Sequence, residues 1–289
     1  EDARESGALP EPVLPAGVFA GRNIGFSLWR GYGGNLPELQ AAAATGGHFN
    51  PLIDFDGVAR RVPMLIEYKG KYYEPLSLAI VRLLMGIDEA NRTNSSTVTL
   101  PKVEPFLAED RTKGYGGLER IDVGPLRIPV DENVSALIPF RGKRNSFNYV
   151  SLADVYFDRV PVEKLRGRIA IVGASAPGLF DLRSTPVGSV YPGVEIHANL
   201  VGGMLDYDKG ALKQKPPYMI GAEVLLLIIG GVALTLLLPL LSPLRAALVS
   251  LASLLLVGGF NVMIWTGANM ALPLASSVLM IAALFALNM

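Results

Sequence analysis

The sequence predicts an α/β (α+β) extracytoplasmic domain with a mixed or parallel sheet, followed by a three-helix transmembrane region. Three observations lead there. Beyond Pro217 the only charged side chains are Glu223 and Arg245, whereas the preceding chain mixes charge, Gly, Pro and short apolar runs. Arg168–Gly173 (RIAIVG) is a continuous apolar run followed by a Gly/Pro-rich loop and then a helical pattern, the order of an α/β unit. Asp56-Gly57 sits between two apolar runs as a turn dipeptide, and an amphipathic helix pattern follows.

Taken in order, residues 1–23 are polar and punctuated by Pro and Gly, and read as a loop or linker. Leu36–Thr45 reads as a helix that Asn35 can cap, with Pro37 in its first turn and Gly46-Gly47 at its end. Leu52–Phe55 and Val62–Tyr68 read as a hairpin about Asp56-Gly57. Glu74–Met85 reads as an amphipathic helix closed by Gly86. Val98–Leu100, Leu118–Val123, Leu126–Val130 and Ser135–Phe140 read as strands, and Ser151 opens a short helix to Phe157. The RIAIVG run predicts a strand buried on both faces, as in a parallel sheet. The long loop ASAPGLFDLRSTPVGSVYPG follows it, and Val194–Leu205 reads as a helix.

Crossing a hydrocarbon core of about 30 Å takes roughly twenty helical residues. Residues 218–241, 244–265 and 270–289 meet that length, after a linker at 209–217. Short breaks at Ser242-Pro243 and Thr266–Asn269 imply antiparallel neighbours. Arg245, at the first break, favours that turn inside and residues 1–217 outside. Gly230, Gly231, Ala246, Ser250, Ser253, Gly258 and Gly259 are small residues suited to helix packing. Asn261 reads as an interhelical hydrogen-bonding group, and Glu223 as a side chain reaching the interface.

Composition narrows the function classes. Net charge is zero, which offers nothing to nucleic acid. There is no cysteine, so disulfides and thiolate metal sites are excluded. His48 and His197 are the two histidines, and neither metal nor cofactor is expected in this chain. Asp54-Phe55-Asp56-Gly57 lacks the downstream ligands of a calcium loop. Arg60 and Arg61 can pair with Asp54 or Asp56, or solvate a strand edge. Ser175, Asp181 and His197 stand in the chain order of a hydrolase triad, but all three fall in one strand-loop-helix unit and GASAPG is not a nucleophile elbow. No catalytic residue is assigned. Open parallel sheets bind ligands at the carboxyl ends of strands. The candidate ligand set is therefore the polar cluster around the last crossover: Ser175, Asp181, Arg183, Thr185, Glu195, His197 and Asn199.

GRIAIVGASAPGLFDLRSTP with PGVEIHANLVGGML resembles the closing segment of the CHASE type 2 (CHASE2) domain, an extracellular bacterial sensor domain. FDGVARRVPMLIEYKGKYYEPLSLAI resembles its central segment, through Asp56, Gly57 and Arg60, and IPVDENVSALIPFRG resembles the strand pair before the last crossover. The resemblance runs over residues 24–208 and continues into membrane helices. The family domain normally begins with a further membrane helix and earlier strands, which this sequence does not show. NIGFSLWRGYGGNLPELQ is most similar to members fused to class III adenylate cyclases. The resemblance implies a multi-pass protein of the bacterial inner membrane whose outer domain relays an extracytoplasmic cue to a cytoplasmic adenylate or guanylate cyclase, or a kinase. Membrane lipid, an unidentified extracytoplasmic ligand, and a homodimer mate or other subunit are the implied partners. The alternative is a non-catalytic membrane subunit whose outer domain binds another protein.

Overall fold

The computed structural model describes residues 4–107, 117–175, 181–214 and 218–288. The chain divides into two compact units, Glu1–Leu212 and Lys213–Met289.

In the first unit, β1 (Glu5–Ser6), β2 (Ser27–Trp29) and β3 (Tyr32–Gly33) precede α1 (Pro37–Ala42). Strands β4 (Leu52–Ile53), β5 (Ala59–Pro63), β6 (Ile66–Tyr68) and β7 (Lys71–Tyr73) lead into α2 (Leu76–Thr93). Then come β8 (Glu104–Leu107), β9 (Leu118–Val123), β10 (Leu126–Pro129) and β11 (Ser135–Leu137). Two short helices follow, α3 (Leu152–Tyr156) and α4 (Val162–Leu165). The unit closes with the hairpin β12 (Leu182–Thr185) and β13 (Gly188–Pro192), then α5 (Gly193–Leu205).

Among the described residues the strands form five small sheets: β1-β3, β2-β6-β7, β4-β5-β11, β8-β9-β10 and β12-β13. The β1-β3 and β2-β6 pairs are parallel and the other pairings antiparallel, so the fold is mixed α/β. The core joins one face of these sheets to α2 and α5, which pack on each other, through Val62, Met64, Leu78, Ile121, Ile128, Ile196 and Leu200.

The Asp56-Gly57 hairpin forms as the turn chemistry predicts. Gly57 takes φ +80°, and its N–H donates to Asp54 O at 2.9 Å. The return strand starts earlier than expected, at Ala59, and stops at Pro63, where the chain bends into β6. The helix after Glu74 does not stop at Gly86. Gly86 lies under the Thr99 carbonyl, where a Cβ would come within 2.8 Å, so it serves a close approach and not a cap. Asn94, in the left-handed region, ends the helix. Helix α1 is shorter than the 36–45 pattern, with Leu36 and not Asn35 at its N-cap. Val98–Leu100 is not a strand, whereas Glu104–Leu107, which the sequence reading passes over, pairs with β9.

The largest correction concerns RIAIVG. Arg168–Gly173 belongs to no strand, and Ile169 and Val172 are 42% and 78% exposed. A two-sided buried strand needs neighbours that take up its backbone groups, and no described strand pairs with it, although Val194 lies against Gly173. The loop after it is also not uniform: it contains the β12-β13 hairpin, while residues 176–180 lie outside the described residues.

The second unit holds α6 (Tyr218–Leu237), α7 (Pro243–Gly267) and α8 (Ala275–Leu287). Two helices, Gly221–Leu240 and Pro243–Ala268, are long and apolar enough to cross a membrane, with only 11% and 6% of their apolar windows buried in the protein. A core helix of a soluble protein would be largely covered. The third expected span is a correction: α8 has 13 residues, short of the roughly twenty a crossing takes. It packs against both α6 and α7. Met280 lies over Gly230 and Gly231, and Ala246 and Ser250 are buried, whereas nothing lies against Gly258 or Gly259. Asn261 Nδ2 donates to Leu272 O at 2.7 Å, and Ser276 Oγ donates to Glu223. Residues 215–217, including the Pro216-Pro217 pair, lie outside the described residues.

Candidate functional site

The crossover residues separate into three groups. Glu195 and Asn199 lie four residues apart, hence on one face of α5, and both are buried. Glu195 accepts hydrogen bonds from the Asn145 N–H at 3.2 Å, the Ser146 N–H at 2.9 Å and the Tyr149 hydroxyl at 2.7 Å. Asn199 Oδ1 accepts from the Arg141 N–H at 2.8 Å, and its Nδ2 donates to Tyr191 Oη at 2.8 Å and to Glu195 O at 2.7 Å. These two side chains therefore clamp the 141–149 loop onto α5. Burial and the charge accepted at Glu195 push the Tyr149 phenol up; Tyr191 rises to about 12, chiefly by burial. The close fit has a backbone counterpart: Gly202 and Gly203 leave room for Arg141 and Pro139, where a Cβ would come within 2.8 and 2.3 Å.

Asp181 holds the start of the same helix. Its carbonyl accepts from Gly193 N at 2.8 Å, and its carboxylate lies where a Gly193 Cβ would be. A carboxylate there suits the positive end of a helix. Ser175 O accepts from Arg144 Nη2 at 2.9 Å. Thr185 donates to Gly188 O at 2.9 Å within the hairpin, and Arg183 stands opposite Tyr191 across it. Ser175, Asp181 and His197 show no triad hydrogen bonds.

His197 is the third group. It is 3% exposed, and Nε2 donates to Phe49 O at 3.2 Å, while Nδ1 has no hydrogen-bond partner. Neither ring nitrogen of His48 makes a hydrogen bond of good geometry, although the Pro63 backbone lies near enough to favour its protonated form slightly. Burial depresses both imidazoles, with His197 adding to the effect at His48, which falls to about 3. Asp181 opposes the shift at His197. Both histidines of the chain thus have buried ring nitrogens and uncharged rings, and His197 bonds to Phe49, the residue after His48.

Two charged arrangements complete the picture. At the Asp56-Gly57 hairpin, Arg60 binds Asp54 at 2.8 Å and Asp56 at 2.7 Å, and Arg61 bridges Asp54 and Asp131 at 2.5 Å each. Asp131 also accepts the Asn133 and Ser135 N–H groups at 2.9 Å. Hydrogen bonding to Arg60 brings Asp56 down to about 2; at Asp54 burial works against ionisation, but both guanidiniums hold its carboxyl below the usual range. The arginines therefore pair and do not merely solvate an edge.

The second arrangement is one the sequence reading passes over. Glu74, just ahead of α2, accepts from Arg82 Nη1, while Arg82 Nε donates to Pro101 O at 2.8 Å. Both residues are buried, and Glu74 Oε2 has no partner. The signal available was Arg82 itself, a charge within the apolar face of EPLSLAIVRLLM. No group of three or more His, Asp or Glu suited to a metal occurs among the described residues.

A model of the CHASE2 domain family matches residues 10–238. No curated protein and no solved structure matches the chain.

Proposed function

The chain belongs to the CHASE2 domain family, extracellular sensor domains common in signal-transduction receptors, and on that premise we propose that it is the sensory and membrane portion of a bacterial receptor that relays an extracytoplasmic cue to a cytoplasmic enzyme, an adenylate cyclase. The observation that carries the reading is the continuity of the family match through the outer unit into the first apolar helix. In this reading residues 1–217 face outside, Arg245 faces the cytoplasm of an inner-membrane protein, and the apolar segments are anchors. The crossover set Ser175, Asp181, Arg183, Thr185, Glu195, His197 and Asn199 moves with α5. A cue acts by favouring one of two arrangements of that helix, because differential affinity shifts a population.

The test is cyclic-nucleotide synthesis by the full-length protein in membranes, measured beside its membrane abundance. Asp181→Ala should change output at unchanged abundance, since Asp181 holds the start of α5. A full-length protein that makes no cyclic nucleotide removes the cyclase reading.

A second reading has its own observation. Tyr149–Val172 carries exposed Leu152, Tyr156, Phe157, Val162 and Val172. Apolar surface of that extent suits a protein partner, as for a non-catalytic membrane subunit. Copurification of a stoichiometric second protein, without cyclic-nucleotide synthesis, favours this reading.

A further inference from the structure

The outer unit has a cavity of about 570 Å³ between the Ala8–Val13 segment, helix α1 with the residues after it, and the start of α2. That size lies in the range of small-molecule sites. Its wall is mixed: Pro10, Val13, Ala41 and Leu100 are among its apolar residues, and Glu11, Gln40, Thr45, Glu74 and Arg82 are its polar ones. Glu74 is 2% exposed. One of its oxygens is taken by Arg82, and the other, buried, has no partner. An orphaned buried carboxylate oxygen is costly and calls for a donor.

The charges around the cavity select the donor. Among the described residues Arg82 is the one cationic side chain on its wall, and it is already committed to Glu74 and to Pro101 O. Glu11 adds a second carboxylate to the wall. An anion would meet two carboxylates and, among the described lining residues, no uncommitted cation. An ammonium group that reached the Glu74 carboxylate behind the wall would find an acceptor without a partner, and an attached hydrocarbon would meet Pro10, Val13, Ala41 and Leu100. Burial lifts the Glu74 carboxyl to about 7 despite the opposing pull of Arg82.

We propose that this cavity is a binding site for a small aliphatic amine, its ammonium donating to Glu74 and its hydrocarbon body lying on the apolar wall. The proposal deepens the sensor reading and rests on it for one clause only, that occupancy is the cue. The route to output is short: Glu74 lies just ahead of α2 and Arg82 in its second turn, and α2 packs on α5, the helix that carries Glu195, His197 and Asn199.

The test uses the full-length protein in lipid nanodiscs, with cyclohexylammonium as probe and cyclohexanol and cyclohexanecarboxylate as controls. Calorimetric titration should show saturable binding of the amine, with both controls weaker by on the order of tenfold or more, the scale of one charge-assisted hydrogen bond. Glu74→Gln should cause a loss of similar size. Ala41→Leu fills the cavity from a helix that accepts leucine, and should abolish binding while leaving the ligand-free melting temperature unchanged; it decides the matter if Glu74→Gln fails to fold. No saturable amine binding, equal binding of the carboxylate or the alcohol, or undiminished binding to Ala41→Leu overturns the site. Cyclic-nucleotide output is read in parallel. Binding without any change in output upholds the site and removes its sensory role, whereas output that responds to another cue without amine binding removes the site and leaves the receptor reading.

Discussion

Ile121 and Ile171 are both isoleucines in segments the sequence predicts as strands, LERIDV and RIAIVG, yet they meet opposite surroundings. Ile121 stands in β9 with β8 on one side and β10 on the other, and it is fully buried. Ile171 is partly exposed in a segment with no strand neighbour. What separates them is the local means of pairing. Leu118–Val123 is followed at once by a Gly124 turn at φ +55° and a return strand, so its backbone groups are taken up within a few residues. RIAIVG has no such neighbour, and a parallel partner must come from far along a chain or from another molecule.

The largest expected effect tests that contrast directly. Ile121→Asp puts an unpaired carboxylate into a closed core and should destabilise the outer unit by about 4 kcal/mol or more. Ile171→Asp should cost within about 0.5 kcal/mol, as a surface change does. Urea unfolding of the purified protein, with limited proteolysis of the outer unit, measures both. Equal damage from the two substitutions would break the comparison and mean that RIAIVG is covered in the working protein, as the partner-binding reading requires.

The same contrast explains what was legible in the sequence. The Asp56-Gly57 hairpin, Leu118–Val123, the Ser151 helix and the 193–205 helix are local structures, specified by turn chemistry and periodicity within a dozen residues. Apolar content alone misled at RIAIVG, because burial depends on partners that a run of isoleucine and valine does not carry with it. The crossover residues fall into separate groups on β12, at the start of α5 and along it, and their connections were hidden. Glu195 meets the 141–149 loop nearly fifty positions away, and His197 reaches the Phe49 carbonyl 148 positions away. Glu74–Arg82 was hidden for another reason: eight residues apart, it looked like part of an ordinary amphipathic helix.

The next effect is a pH dependence in the well-packed region. Glu74 is lifted from 4.5 to about 7 by burial, with Arg82 opposing. The folded protein therefore holds that proton more tightly than the unfolded chain does. Its contribution is complete below about 4.5 and is lost as pH rises toward 7. The histidines have the opposite sign: burial keeps them neutral in the fold, so acid below 6.5 protonates the unfolded chain first and stability falls as pH falls toward 3. The two effects offset one another between 4.5 and 6.5. Glu74→Gln removes one side of that balance. Relative to its own value at pH 7, the variant should lose up to about 3 kcal/mol more than wild type on going to pH 4.5. Urea midpoints across that range check it. Parallel curves would mean that the Glu74 carboxyl is not perturbed.

The smallest effect lies at the border between the two regions. Tyr149 donates to Glu195 at 2.7 Å and is the last residue of its loop tied to α5; the exposed apolar stretch begins immediately after it. Tyr149→Phe removes one hydroxyl but leaves Glu195 its two backbone donors, Asn145 and Ser146. The carboxylate is then not orphaned, and the loss should be about 1 kcal/mol, the net worth of one hydrogen bond. The change should also stay local. Hydrogen exchange at Asn145 and Ser146 should quicken, because their acceptor is freer to move, while amides of β9 and β10 keep their protection. Faster exchange throughout β9 and β10 would show that the 141–149 loop is part of the cooperative core, and would move the border between the two regions past Tyr149 into the segment that now looks uncovered.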